Sequence, residues 1–205
     1  MSSAGEKSRP GPDCGGGNRM LSVLCNLTMA VLAAVAGMAH TRKAPLRVIL
    51  RFFTAQSNLL CALAAVAVAV CRLCGEVPAA ILVFKYIGTA SVTVTFLTVM
   101  VFLGPTLGYG KLLTGPDLFL HLVCPLLALI SYSAWDKPAA PWTVVLLGVL
   151  PVVLYAALYL YKVLLAPEEK RWDDFYGFNR SGKWPVSLAA MLLGTLLISV
   201  VLWLL

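Results

Sequence analysis

Residues 46–72 read "LRVILRFFTAQSNLLCALAAVAVAVCR". From Leu59 to Cys71 the stretch carries no charge, and a helix needs ~20 apolar residues to cross a hydrocarbon core about 30 Å thick. Its first half is different: Arg47, Arg51, Thr54, Gln56, Ser57 and Asn58 stand among aromatic and aliphatic neighbours. Taken as one helix, Arg47, Arg51, Thr54, Asn58 and Cys61 follow the helical repeat and form one seam, with Ser57 beside it. An amide such as that of Asn58 is costly in hydrocarbon unless it bonds within the protein. The seam therefore points into a bundle.

Apolar runs of similar length recur along the chain, and six spans are expected, at 20–40, 46–72, 80–103, 114–134, 142–166 and 184–205. The 205 residues are 60% hydrophobic and 12% charged, with a mean hydropathy of +0.87, well away from an ordinary soluble domain. The expected fold class is all-α, a polytopic membrane bundle of six transmembrane helices over residues 20–205. Pro45, Pro141 and Pro185 each suit a first helical turn. Residues 1–19, "MSSAGEKSRPGPDCGGGNR", are rich in Gly, Ser and Pro and read as a disordered leader. The apolar run after them exceeds the ~7–15 residues of a signal h-region, so a retained span is expected. The product is an integral, multi-pass membrane protein.

The formal charge of +7 points to juxtamembrane anchoring rather than nucleic acid, because the basic residues sit in short connections between apolar runs. Ten of the 16 Lys and Arg residues lie in or beside the connections after spans one, three and five, which orients that side inward. The long connection 167–183, "PEEKRWDDFYGFNRSGK", carries Trp172, Phe175, Tyr176 and Phe178 and suits the membrane interface. Six cysteines act mostly as small hydrophobes. The lone C-x-x-C of Cys71 and Cys74 lacks the second pair a metal site would need. No phosphate loop or dinucleotide fingerprint occurs, so no cofactor is expected.

The fourth span opens "TGPDLFLHLVCPLLALISY" (114–132), and His121 is the one histidine well inside an apolar run. An ionisable residue there is a functional candidate by default. Asp117, one turn earlier, is expected to orient the imidazole. Pro125 removes the donor that would bond the His121 carbonyl and favours a kink. Thr54 and His121 each lie about seven or eight residues into spans that start on the same side, hence at similar depth. A hydroxyl and an imidazole at one level meet the first demand of a nucleophile and its base. Each also has a plain structural reading: Thr54 bonding the carbonyl of Leu50, His121 as an interhelical strut, Arg47 reaching to phosphates. His121, Asp117 and Cys124 share one helix and make a poor metal set, so no metal is expected.

At "FFTAQSNLL" and "HLVCPLL" the chain resembles the androgen-induced and androgen-dependent TFPI-regulating membrane proteins and their small bacterial relatives, the Pr6Pr proteins. The pattern FT-x-x-SN followed by H-x-x-x-P carries the likeness, which extends loosely from about residue 20 to 205; "YGFNRSGKWP" looks most like the bacterial branch. The resemblance implies a multi-pass hydrolase of fatty acid esters of hydroxy fatty acids or related lipid esters, with Thr54 as nucleophile and His121 as base. On that reading Asn58 or Ser57 serves the oxyanion, Arg51 holds a substrate carboxylate, and Lys85, Thr89, Thr93, Tyr155 and Tyr159 are candidates for lining. The lipid substrate lies in the bilayer. Two rivals stand beside this: a small transporter or channel with His121 and Asp117 as a proton relay, and a membrane scaffold without catalysis.

Overall fold

A computed structural model describes residues 15–205. Every regular element among these residues is helical. Six helices are long and apolar enough to cross a membrane: Gly15–Thr41, Phe53–Cys74, Ala79–Leu107, Pro116–Asp136, Val144–Leu165 and Trp184–Leu204. They are called the first to sixth spans below. The expected boundaries hold to within a few residues, except at two places. The first span starts at Gly15, so 15–19 belong to a helix, and the rest of the expected leader lies outside the described residues.

The second correction bears on the site. Residues 46–72 are not one helix: a short turn, Leu46–Ile49, is followed by a break, and the span proper begins at Phe53 after Phe52 adopts an extended backbone (φ −92°, ψ 131°). Arg47 and Arg51 therefore leave the seam, which starts at Thr54. Tertiary partners hold the break. The Tyr155 hydroxyl donates to Arg51 O at 2.7 Å and Gln56 Nε2 to Leu50 O at 2.8 Å, satisfying carbonyls that a continuous helix would have used.

The third span is the central one, with an almost unbroken buried run from Lys85 to Thr95, and it packs on the second, fourth, fifth and sixth spans. The first span closes the other side of the second and fourth. Small residues allow the approach. Ala64, Ala65, Val68 and Ala69 are wholly buried, and a methyl group added at Gly88 would stand 2.9 Å from Cys61 Cα. Without a hydrophobic force between helices in lipid, such close backbone packing is what holds spans together.

Four wide π-helical turns occur in three of the spans, at Thr98–Leu103 in the third, Phe119–Val123 and Tyr132–Asp136 in the fourth, and Tyr161–Leu165 in the fifth. The second of these contains His121 and ends just before Pro125, which has no N–H for the carbonyl of His121. The connection 167–183 does not lie flat at the interface as expected. It folds into the mouth of the bundle, where Trp172, Phe175, Tyr176 and Phe178 pack on Phe53, Tyr155 and Tyr159. Asp174 pins it, accepting from Phe178 N and Asn179 N, each at 2.8 Å, and from the Tyr159 hydroxyl at 2.9 Å.

Candidate functional site

Thr54 is the second residue of its span, and the break before it leaves the first-turn amides without helical carbonyls. The amide of Phe53 donates to the Tyr176 hydroxyl at 3.0 Å. The amide of Thr54 has no backbone acceptor, and both it and the Thr54 side chain lie close to the same phenol. The Thr54 hydroxyl bonds no carbonyl either, so the expected bond to Leu50 O is not made; that oxygen serves Gln56. The hydroxyl lies on the wall of a small slot of about 50 Å³, lined also by Thr95, Thr98, Leu103, Tyr155, Tyr176 and Met191. Burial is the main cause that raises the Tyr176 phenol above its ordinary range, opposed by the Phe53 amide. It therefore keeps its proton.

His121 is 8% exposed. Its Nδ1 lies 2.7 Å from Leu112 O, and since a carbonyl only accepts, Nδ1 carries the proton and the Nε2 lone pair is left for other work. This corrects the role expected of Asp117. That carboxylate sits 3.1 Å from His40 Nε2 instead, off the line of a hydrogen bond. Leu112, nine residues before His121, does the orienting.

Asn58 ties the two segments together. One N–H of its Nδ2 goes to Thr54 O at 2.9 Å and the other to Leu120 O at 3.0 Å, which brings the residue beside His121 to within about one helical turn of Thr54 in depth. Both donors are thereby occupied, so the expected oxyanion role of Asn58 is not supported. Ser57 is occupied too, by Thr54 O at 3.2 Å and the Thr95 hydroxyl at 2.8 Å. No hydrogen bond joins Thr54 to His121. Arg51 lies at the mouth, its guanidinium carbon 5.7 Å from the centre of the Trp172 ring.

The opposite end of the bundle holds a polar cluster that a reading along the sequence misses. Lys85 Nζ donates to Asn26 Oδ1 at 2.6 Å, Asn26 Nδ2 to Asp136 Oδ2 at 2.6 Å, and the Ser22 hydroxyl to Asp136 Oδ1 at 2.8 Å. Arg72 completes the set, with Nη2 2.9 Å from Asp136 Oδ1 and 2.6 Å from Trp135 O. Ser22, Asn26, Lys85 and Asp136 are all 0% exposed. Lys85 thus lines no part of the Thr54 slot. The signal available in the sequence was a single charge near the end of each of three spans.

Among the described residues no group of three or more His, Cys, Asp or Glu is placed to hold a metal ion. No family model, no curated protein and no solved structure matches the chain.

Proposed function

We propose that the protein is an intramembrane lipid ester hydrolase with Thr54 as nucleophile and His121 as base. The observation that carries this reading is the position of Thr54 in the first turn of its span, with hydroxyl and amide both free of carbonyl partners beside a small slot. His121 offers Nε2 as a proton acceptor because Leu112 O holds the Nδ1 proton. Catalytic hydrogen bonds are commonly long or misaligned before substrate tightens them, which is consistent with the unbonded pair.

The steps follow from these groups. Nε2 takes the Thr54 hydroxyl proton as the oxygen attacks the ester carbonyl, and the tetrahedral oxyanion is met by the Thr54 N–H and the Tyr176 O–H. The oxyanion collapses, the ester C–O bond breaks, and the alcohol leaves with the proton from His121. Water, deprotonated by the same imidazole, then attacks the acyl-threonine, and the acid is freed as Thr54 Oγ1 takes that proton back from His121. Arg51 stands at the mouth for the carboxylate end of a substrate such as a fatty acid ester of a hydroxy fatty acid.

The test is labelling of membranes with a fluorophosphonate probe, comparing the native chain with Thr54→Ala and His121→Ala. Loss of labelling in both is expected. Full labelling of Thr54→Ala ends the nucleophile assignment. The proton relay of the transporter reading loses its pair, since Asp117 faces His40.

A further inference from the structure

The slot beside Thr54, about 50 Å³, has room for a water molecule or two but not for an acyl chain. Any lipid ester that reaches Thr54 must lay its chain elsewhere. The second and fifth spans both pack on the third yet scarcely touch each other, and the gap between them is a groove of about 480 Å³ floored by Phe84, Ile87 and Ser91. Its size falls within the ~300–1,000 Å³ of ordinary ligand sites. On the fifth span it runs from Leu147 to Leu158, roughly 16 Å at the helical rise, or about half of a hydrocarbon core. Leu147, Leu150, Leu154 and Leu158 are exposed along it, so it opens to the bilayer.

The groove has polar residues in its lining, but they are engaged within the protein. Gln56 Nε2 donates to Leu50 O, the Ser57 hydroxyl bonds Thr95, the Ser91 hydroxyl donates to Ile87 O at 2.9 Å, and the Tyr155 hydroxyl to Arg51 O. The wall offered to an occupant is therefore hydrocarbon. Phe53 and Tyr155 belong to both the groove and the slot, and their rings, 5.1 Å apart, form the partition between them. We propose that the groove holds one fatty acyl chain of a membrane lipid ester, which reaches Thr54 from within the bilayer past Phe53 and Tyr155. This rests on the hydrolase reading for its purpose, while the groove itself is tested separately.

The full chain is reconstituted in phosphatidylcholine nanodiscs with a long-chain ester that carries a diazirine on its acyl tail. Irradiation should label peptides covering Phe84–Ser91 and Leu147–Leu158, and the plain ester should compete. Labelling spread equally over the lipid-facing sixth span, without competition, overturns the proposal. In parallel, Leu150→Trp fills the groove and should raise KM for long-chain esters about tenfold more than KM for acetyl esters; Leu193→Trp, on the outer face of the sixth span, is the control. Equal effects on both chain lengths count against the groove. The two readings fail differently. Competed cross-linking that persists in Thr54→Ala with undiminished fluorophosphonate labelling keeps the groove and removes the nucleophile, whereas Thr54-dependent labelling with unlocalised cross-links does the reverse.

Discussion

On the proposed hydrolase reading, the reactivity of Thr54 would come from where its helix begins. A threonine in mid-span would bond back to its own helix, as Thr93 does to Thr89 O at 2.8 Å. The break at residues 50–52 spares Thr54 that bond and leaves its N–H without a backbone acceptor as well. On that reading Tyr176 would take the oxyanion role in place of Asn58 and Ser57, because its oxygen accepts the Phe53 amide while its own proton bonds no carbonyl. Tyr176→Phe keeps the ring packing against Tyr155 and Tyr159 and removes the hydroxyl, which is both the donor and the acceptor of the Phe53 amide. We expect kcat to fall about a hundredfold with KM little changed; a loss confined to KM would place Tyr176 in binding instead. The residue types at this site were legible in sequence, since hydroxyl, amide and imidazole in apolar runs demand explanation. Their partners were not, because Tyr176 and Phe53 stand 123 positions apart.

Among the elements, the cluster around Asp136 joins the first, second, third and fourth spans at one end, and Asn58 joins the second and fourth at the other. Asp136 is wholly buried and accepts from Ser22, Asn26 and Arg72. Removing one partner of a buried ion pair leaves the other uncompensated, at a cost of about 3–5 kcal/mol. Asp136→Asn should therefore lower the midpoint of thermal unfolding of the purified chain in detergent, with fluorophosphonate labelling of the surviving folded fraction retained, since the cluster is at the far end from Thr54. A midpoint equal to that of the native chain would show the cluster to be dispensable for folding. The aromatic connection 167–183 shows the limit of composition at this scale. Trp, Phe and Tyr near a membrane surface suit an interfacial belt, but here Asp174 gathers the backbone into a compact turn and the rings pack inward on Tyr159.

At the scale of the whole molecule, six spans place Gly15 and Leu205 on one side and the Thr54 mouth on the other. The mouth side holds the greater share of Lys and Arg, including Arg42, Lys43, Arg47, Arg51 and Lys111, and on the positive-inside rule we expect it to face the cytoplasm. Cys74, exposed at the far end of the second span, gives the check. In a Cys14→Ser background, a membrane-impermeant maleimide should label Cys74 in intact cells; labelling only after permeabilisation would invert the orientation.

The number of spans and their approximate ends were determined by the sequence alone, because hydrophobic length is a property of consecutive residues and six runs are each long enough to cross a bilayer. The same holds for the inward bias of Asn58 and His121, whose burial follows from the cost of polar groups in hydrocarbon. Only the tertiary structure decided where the second helix starts, that Asp117 faces His40 rather than His121, and that Lys85, Asn26, Asp136 and Arg72 meet. Those outcomes depend on which distant donor and acceptor packing brings within about 3 Å, and no periodicity along the chain encodes that choice.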